Sequence, residues 1–164
     1  DDLDYGWRAH ELGIKSYYVP TSVIYHAESF NFAWKPFKFY LLERNRHYCL
    51  LIHYSRKTFY KILPELLLIE IMVFGFYILK GLLVQKIKAN FNIIKNWKKI
   101  RIRYNEIQQK RILEDKEIIE NFNDELIIPH ELSKTAKNSV FQKIIKNLSK
   151  RARRKIMDEN HDIG

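Results

Sequence analysis

The sequence is poor in cysteine, glycine and proline, and each shortage excludes a class of protein. Its 164 residues include one cysteine, Cys49, five glycines and four prolines. One cysteine excludes a disulfide framework, and no Cys-X-X-Cys or clustered Cys/His spacing indicates a structural zinc site. Few glycines and prolines beside 46% hydrophobic residues exclude collagen-like and generally disordered chains. The length suits one domain or part of a larger one.

Positive charge is in excess and is unevenly distributed. The chain has 29 Lys and Arg residues against 19 Asp and Glu residues, a net charge of +10. Residues 1–58 carry a net charge of +2, residues 59–84 are neutral, residues 85–117 carry +6 and the remainder carries +2. Such a surplus indicates an anionic partner, either nucleic acid or a membrane surface.

The first 58 residues mix helix and strand patterns. Asp2 and Asp4 mark a helix start, Leu3, Trp7 and Leu12 suit one apolar face, and Gly13 suits the position after the helix. Residues 14–19 and 23–25, rich in β-branched and aromatic residues, predict two strands, and a helix is predicted over 35–54. The predicted fold class is therefore α/β, followed by mainly α-helical, membrane-associated segments. Two strands do not make a stable sheet, so we expect sequence outside this chain to complete it.

A longer pattern in this region resembles a known family. The string DDLDYGWRAHELGIKSYYVPTSVIYH holds an acidic pair, Gly-Trp-Arg, Leu-Gly, Val-Pro and Tyr-His in that order, and FKFYLLERNRHYCLL adds Arg-Asn-Arg. This ordered set resembles the C-terminal signature of family 2 glycosyltransferases, in the subgroup of rhamnosyltransferase-like enzymes. The resemblance implies that residues 1–58 are the last part of a GT-A catalytic domain. We expect the chain to be the C-terminal portion of a longer enzyme and to be inactive alone.

The resemblance also implies a reaction and its chemical groups. It implies inverting transfer of a sugar from a nucleotide-diphosphate sugar to a hydroxyl of a glycan or lipid-linked acceptor in cell-surface glycan synthesis. Such a transfer needs a base for the acceptor proton, a role that the resemblance gives to Asp2, with Asp1 beside it. An acid at a helix start also caps the helix, which is the alternative role. His26 matches a ligand of a divalent metal, Mn²⁺ or Mg²⁺, or is a hydrogen-bonded histidine at a strand end.

Four further residues are candidates for substrate binding. The resemblance places Trp7 and Arg8 near the acceptor, although Trp7 equally suits an anchor in the core. Arg44 and Arg46 supply two guanidinium groups, which suit a pyrophosphate. The alternative for this pair is a solvated helix face with Glu43 as a surface partner.

The segments behind residue 58 indicate a membrane. Residues 62–84 are long enough to span a bilayer, but Glu65, Glu70 and Lys80 interrupt them. We predict a partly embedded or interfacial helix over 59–84, with a membrane span and burial against the catalytic domain as alternatives. A basic amphipathic helix is predicted over 85–120, because apolar residues recur at helical spacing among lysines and arginines: Ile87, Phe91, Ile94, Trp97, Ile100, Tyr104 and Ile107. Such a helix suits an anionic lipid surface, or it packs against the preceding apolar helix.

The tail of the chain is basic and is predicted to be only partly ordered. Residues 121–164 predict a mixed helical, partly disordered tail with a basic cluster at 150–155. We expect the protein at the cytoplasmic face of the cell membrane. The alternative function is a non-enzymatic basic module that binds membranes or nucleic acid. Because no nucleic-acid-binding signature accompanies the basic clusters, nucleic acid is not the expected partner.

Overall fold

A computed structural model describes residues 2–23, 25, 35–120, 122 and 140–158, and all regular structure in these ranges is helical. The described residues form seven helices: α1 (Asp2–Glu11), α2 (Pro36–His53), α3 (Arg56–Leu79), α4 (Leu83–Lys95), α5 (Trp97–Lys110), α6 (Asp115–Glu120) and α7 (Val140–Met157). The predicted α/β fold class is therefore wrong, and the described part of the chain is all-α.

The two predicted strands show why the α/β assignment fails. Residues 14–19 form no strand, and Tyr17 and Tyr18 are 80% and 89% exposed. The preference of aromatic and β-branched residues for strands reflects packing on a pleated, half-buried surface more than an intrinsic backbone preference. The described residues provide no neighbouring strand for such packing or for the backbone hydrogen bonds of a sheet. Of the second predicted strand, residue 24 lies outside the described residues.

Helix α1 ends where the sequence predicts. Gly13 has a φ of +70°, the left-handed region that glycine adopts without a Cβ penalty. Its N–H donates to the carbonyl of His10 at 2.8 Å, and the N–H of Ile14 donates to the carbonyl of Ala9 at 2.9 Å. These two bonds form a Schellman motif, which confirms the predicted helix end.

The contacts within the chain divide it into two units. One unit comprises Asp1–Tyr54 with Tyr77–Glu114, and the other comprises Ser55–Phe76 with Asp115–Gly164. In the first unit α2 packs on α4 and α5. The apolar core there consists of Ile52, Ile93, Ile100 and Ile107, with Tyr48 and Leu51 against it. Pro36 at the start of α2 costs no hydrogen bond, because the first helical N–H groups have no partner within the helix.

The second unit joins most of α3 to α6 and α7. Its buried apolar residues are Ile62, Ile118, Ile119, Ile145, Leu148 and Ile156. Glu65, one of the charges that interrupt the apolar run of α3, is buried and accepts a hydrogen bond from Lys155 at 2.8 Å. Arg151 lies 3.5 Å from its other oxygen. Within this unit Glu65 is therefore an ion-paired residue that faces α7.

Helix α3 is the membrane candidate among the described residues. It is long and apolar enough to cross a bilayer, and most of its apolar stretch is exposed. Single helices of this kind also occur in the cores of soluble proteins, so length and composition do not identify a span.

The predicted basic helix is broken at Asn96, between α4 and α5. Asn96 has backbone angles of −101° and 13°, outside the helical region. The predicted apolar stripe is not buried as a whole. Ile100 and Ile107 of α5 enter the core of the first unit, whereas Phe91 and Ile94 of α4 and Trp97 at the start of α5 are exposed.

Candidate functional site

Helix α1 buries an acidic face, contrary to the prediction for its apolar residues. Leu3 and Leu12 are exposed, whereas Trp7 and Glu11 are buried and Asp4 is half-buried. Asp4, Trp7 and Glu11 lie at i, i+3 and i+7, so they share one side of the helix. These three residues surround His53 at the end of α2.

His53 is fully buried between two carboxylates. Its Nδ1 lies 3.0 Å from Oε2 of Glu11, and its Nε2 lies 3.0 Å from Oδ1 of Asp4. The indole of Trp7 stacks on the imidazole, with ring centroids 5.0 Å apart and planes 12° apart. Each ring nitrogen of His53 therefore contacts a different carboxylate of α1. The cluster joins α1 to α2 by these polar contacts as well as by ring stacking.

The predicted acceptor residues lie along the same helix in different surroundings. Trp7 is 5% exposed and also meets the edge of Tyr54 at 5.1 Å, so it packs α1 on α2. Arg8 is partly exposed and pairs with Asp4 at 2.7 Å. Asp2 is exposed in the first turn, where a carboxylate also favours the positive end of the helix dipole. The catalytic role of Asp2 and the acceptor contacts of Trp7 and Arg8 stay predictions.

The predicted metal ligand and the acid beside the predicted base are not among the described residues. Asp1 and His26 both lie outside them. The described residues therefore contain none of the ligands predicted for Mn²⁺ or Mg²⁺, and the metal stays a prediction.

Arg44 and Arg46 bind separate neighbours on α2. Arg44 donates from Nε and Nη2 to Oδ1 of Asn45, at 3.0 and 2.8 Å, and its guanidinium lies 5.8 Å from the ring centre of Tyr40. Arg46 donates two hydrogen bonds to the carboxylate of Glu43, from Nη2 to Oε1 at 2.7 Å and from Nε to Oε2 at 3.3 Å. The two guanidinium groups thus have intramolecular partners, and their binding of a pyrophosphate stays a prediction.

Glu43 is a buried residue, not the surface partner considered from the sequence. It is 3% exposed and is bound by Lys86 of α4, which is fully buried, as well as by Arg46. Burial raises the pKa of the Glu43 carboxyl, but the hydrogen bonds and charges of Arg46 and Lys86 outweigh burial and hold this pKa below its ordinary value. Glu43 is therefore an anion at neutral pH, and it compensates the buried ammonium of Lys86.

A small cavity lies between the last turn of α1 and the second half of α5. Its volume is about 170 Å³. Arg8, Glu11 and Leu12 line it from α1, and Arg103, Glu106, Ile107 and Lys110 line it from α5. Of the residues predicted from the sequence to bind substrate, Arg8 contributes to this cavity.

The exposed side of α4 combines apolar and basic residues. Val84, Ile87, Phe91 and Ile94 are each more than half exposed, and Lys88 and Lys95 are exposed beside them. Their spacing of three and four residues places them on one side of the helix. We call these six residues the α4 face. The opposite side of α4 is buried and consists of Lys86, Ala89 and Ile93.

Sequence reasoning missed both the cluster around His53 and the Glu43–Lys86 pair, and only the first left a partial signal. The 4–7–11 spacing of two acids around a tryptophan on α1 indicated a mixed face that needs a polar partner. Nothing in the sequence distinguished Lys86 from the neighbouring lysines, because its burial depends on which side of α4 meets α2.

Comparison with protein-family models, curated protein sequences and solved structures found no match to this chain. A functional proposal consequently depends on the residues and their geometry.

Proposed function

We propose that this chain is the membrane-attached C-terminal portion of an inverting glycosyltransferase, which transfers a sugar from a nucleotide-diphosphate sugar to a glycan or lipid-linked acceptor. The ordered motif in the first 46 residues supports the sugar-transfer part of the proposal. The α4 face carries the membrane part. The cytoplasmic face of the cell membrane is the proposed location, because nucleotide sugars and anionic lipid meet there.

The composition of the α4 face favours a lipid surface over solvent. Four large apolar side chains on one side of a helix lose contact with water when they enter the boundary between headgroups and acyl chains. Lys88 and Lys95 are exposed beside these apolar side chains. When the apolar side chains enter the membrane, the two ammonium groups contact anionic headgroups, and each contributes about 1 kcal/mol at such a surface. Exposed Trp97, Lys98 and Lys99 extend the same composition into the first turn of α5.

Flotation of the purified chain with lipid vesicles tests the membrane part. We expect binding to vesicles that contain phosphatidylglycerol, weaker binding to pure phosphatidylcholine, and weakening as the salt concentration rises. Phe91→Gln removes a large apolar group from the α4 face and is expected to weaken binding by about tenfold or more. Ile112→Gln is the matched control, because Ile112 is exposed in the same unit but lies outside the α4 face.

Equal binding by the two variants contradicts the role of the α4 face. Retention on nucleic acid without vesicle binding favours instead the alternative function, a basic module for nucleic acid. Binding to nucleic acid is recognised by its salt dependence, because the logarithm of the binding constant falls steeply and linearly with the logarithm of the salt concentration.

A transfer assay tests the enzymatic part. In the longer protein of which we propose this chain is a part, Asp2→Asn is expected to lower sugar transfer by about 10²–10⁴-fold, the contribution of a general base. Asp158→Asn removes the same charge from an exposed position on the second unit and is expected to leave transfer unchanged. Full activity of Asp2→Asn contradicts the assignment of the base, and sugar transfer by residues 1–164 alone contradicts the proposal that they are an incomplete enzyme.

A further inference from the structure

Helix α3 carries an exposed apolar stripe within the second unit. The stripe consists of Tyr60, Pro64, Leu67, Ile71 and Phe74. Four of these residues are 39–69% exposed, and the proline is exposed as well. The buried residues Ile62 and Glu65 lie on the opposite side of the helix, toward the interior of the unit. We call the five exposed residues the α3 seam.

The spacing of the α3 seam is typical of a helix that packs along another helix. Its residues lie 4, 3, 4 and 3 positions apart, which is the spacing of the a and d positions in a coiled coil. Ile71 then falls at an a position, and Leu67 and Phe74 fall at d positions. A β-branched residue at a with leucine at d favours two-stranded packing. The spacing therefore indicates one further helix as the partner.

The charge around the α3 seam differs from that around the α4 face. No lysine or arginine occurs over residues 62–79, whereas Lys88 and Lys95 lie beside the apolar residues of the α4 face. Glu70, next to Ile71, adds a negative charge that an anionic lipid surface repels. The α3 seam consequently lacks the basic residues that attract an amphipathic helix to anionic lipid. An uncharged apolar surface suits it better.

The exposed area of the α3 seam is sufficient for a small specific interface. With about 200 Å² for each large apolar side chain, the exposed fractions give roughly 500 Å² in each copy. Two such surfaces bury about 1,000 Å² together, the area at which specific interfaces begin. A contiguous exposed apolar surface of this size on a soluble domain usually marks an interaction site.

We propose that the α3 seam is a dimer interface, in which it packs against the α3 seam of a second copy of this chain. A two-fold axis brings the same surface of both copies together, so such an interface must be complementary to itself. An apolar seam without lysine or arginine meets this condition, because no like charges are placed opposite each other at its a and d positions. The proposal goes beyond sugar transfer and membrane binding and requires neither.

Sedimentation equilibrium of the purified chain without lipid tests the proposal. We expect a dimer at micromolar concentration. Ile71→Glu places a carboxylate in the seam of both copies and is expected to raise the dissociation constant of the dimer by about a hundredfold or more. Ile144→Glu makes the same substitution at an exposed position on α7 in the same unit and is expected to leave this constant unchanged. Circular dichroism verifies that both variants fold.

Disulfide cross-linking tests which surfaces meet. Leu67 is the middle residue of the α3 seam, so a two-fold axis places it beside its own copy whether the helices run parallel or antiparallel. Leu67→Cys is therefore expected to form a covalent dimer on mild oxidation, and the control Ile144→Cys is not. Cys49, the one native cysteine, is buried, and burial raises the pKa of its thiol to about 11, so it contributes little background.

Three outcomes overturn the proposal. The first is a monomer in the absence of lipid, and the second is equal dimerisation of Ile71→Glu and the original chain. The third is that Ile71→Glu weakens flotation with vesicles while the mass in solution stays the same, which makes the α3 seam a lipid contact. Phe91→Gln on the α4 face is expected to remain dimeric even where it loses vesicle binding, so failure of the membrane proposal is recognised separately.

Discussion

Helix α4 presents Lys86, Ala89 and Ile93 to the interior of the first unit and Val84, Ile87, Phe91 and Ile94 to the surface. Lys86 is fully buried, whereas Phe91 is 66% exposed. A helix on the surface of a water-soluble domain usually has the reverse arrangement, with apolar residues inside and charges outside. The two sides of α4 therefore need different explanations.

The buried side is explained by charge compensation. A lysine withdrawn from water is tolerated when a carboxylate and further hydrogen bonds replace the solvent, and Glu43, itself bound by Arg46, fulfils this role. The exposed side has no such explanation within the first unit. Contiguous apolar groups at a surface mark a site of interaction, and the lysines beside them indicate an anionic partner. Buried charge thus contributes to the assembly of the fold, and exposed apolar surface contributes to binding.

The largest expected effect comes from breaking the buried pair. Glu43→Leu leaves Lys86 buried without its anion and is expected to lower the free energy of unfolding by about 3–5 kcal/mol. Urea denaturation followed by circular dichroism measures this change. The double variant Glu43→Leu with Lys86→Met replaces the ion pair by apolar groups and is expected to recover most of the loss. A single variant as stable as the original chain contradicts the compensation argument.

A smaller effect is expected at the second buried cluster. His53→Phe keeps a ring against Trp7 but removes both ring nitrogens, so the buried carboxylate of Glu11 loses the contact between its Oε2 and Nδ1 of His53. We expect the free energy of unfolding to fall by about 1–3 kcal/mol for such an unsatisfied group. His10→Phe on α1 makes the same substitution at a partly exposed site and is expected to be nearly neutral. Similar losses in both variants indicate a general effect of the substitution and contradict a special role for His53.

The stability of the buried side is expected to depend on pH in a defined direction. The pKa of Glu43 is lowered in the folded chain from the ordinary value of about 4.5, which the residue keeps in the unfolded chain. As the pH falls below 4.5, the unfolded chain therefore takes up a proton at Glu43 before the folded chain does. The stabilising contribution of Glu43 is complete above pH 4.5 and is lost as the pH falls through the lowered value of the folded state. Urea denaturation at several pH values is expected to show a steeper acid loss in the original chain than in Glu43→Gln. Parallel profiles for the two chains exclude this contribution.

The exposed side is expected to show the smallest effect on stability. Phe91→Gln is expected to change the free energy of unfolding by no more than about 0.5 kcal/mol, as exposed substitutions usually do, while it weakens vesicle binding. Ile93→Ala on the buried side is the contrasting variant, and it is expected to lower stability by about 2–5 kcal/mol. If Phe91→Gln is as destabilising as Ile93→Ala, the side chain of Phe91 is part of the fold and the α4 face is not an independent binding surface.

Local features were predictable to the extent that they depend on neighbouring residues. The helix end at Gly13 depends on one backbone conformation and was confirmed, and the helix predicted over 35–54 is present as α2. The strand predicted over 14–19 was wrong, because a strand depends on a partner that the described residues do not provide, and the strand predicted over 23–25 lies partly outside the described residues. The candidate site was less predictable, since Arg8 lines a cavity but Arg103 and Lys110, which also line it, gave no signal of their own.

The sequence by itself determined the composition of each segment: a basic stretch over 85–117, an apolar run before it, and the glycine that ends α1. These properties depend on residue type and on spacing along the chain. Only the tertiary structure decided which side of each helix is buried. Glu43 and Lys86 form an interior ion pair, and the ring of His53 lies between two carboxylates, because partners 40 or more positions away approach them there. Helical spacing alone carries no information about such distant partners.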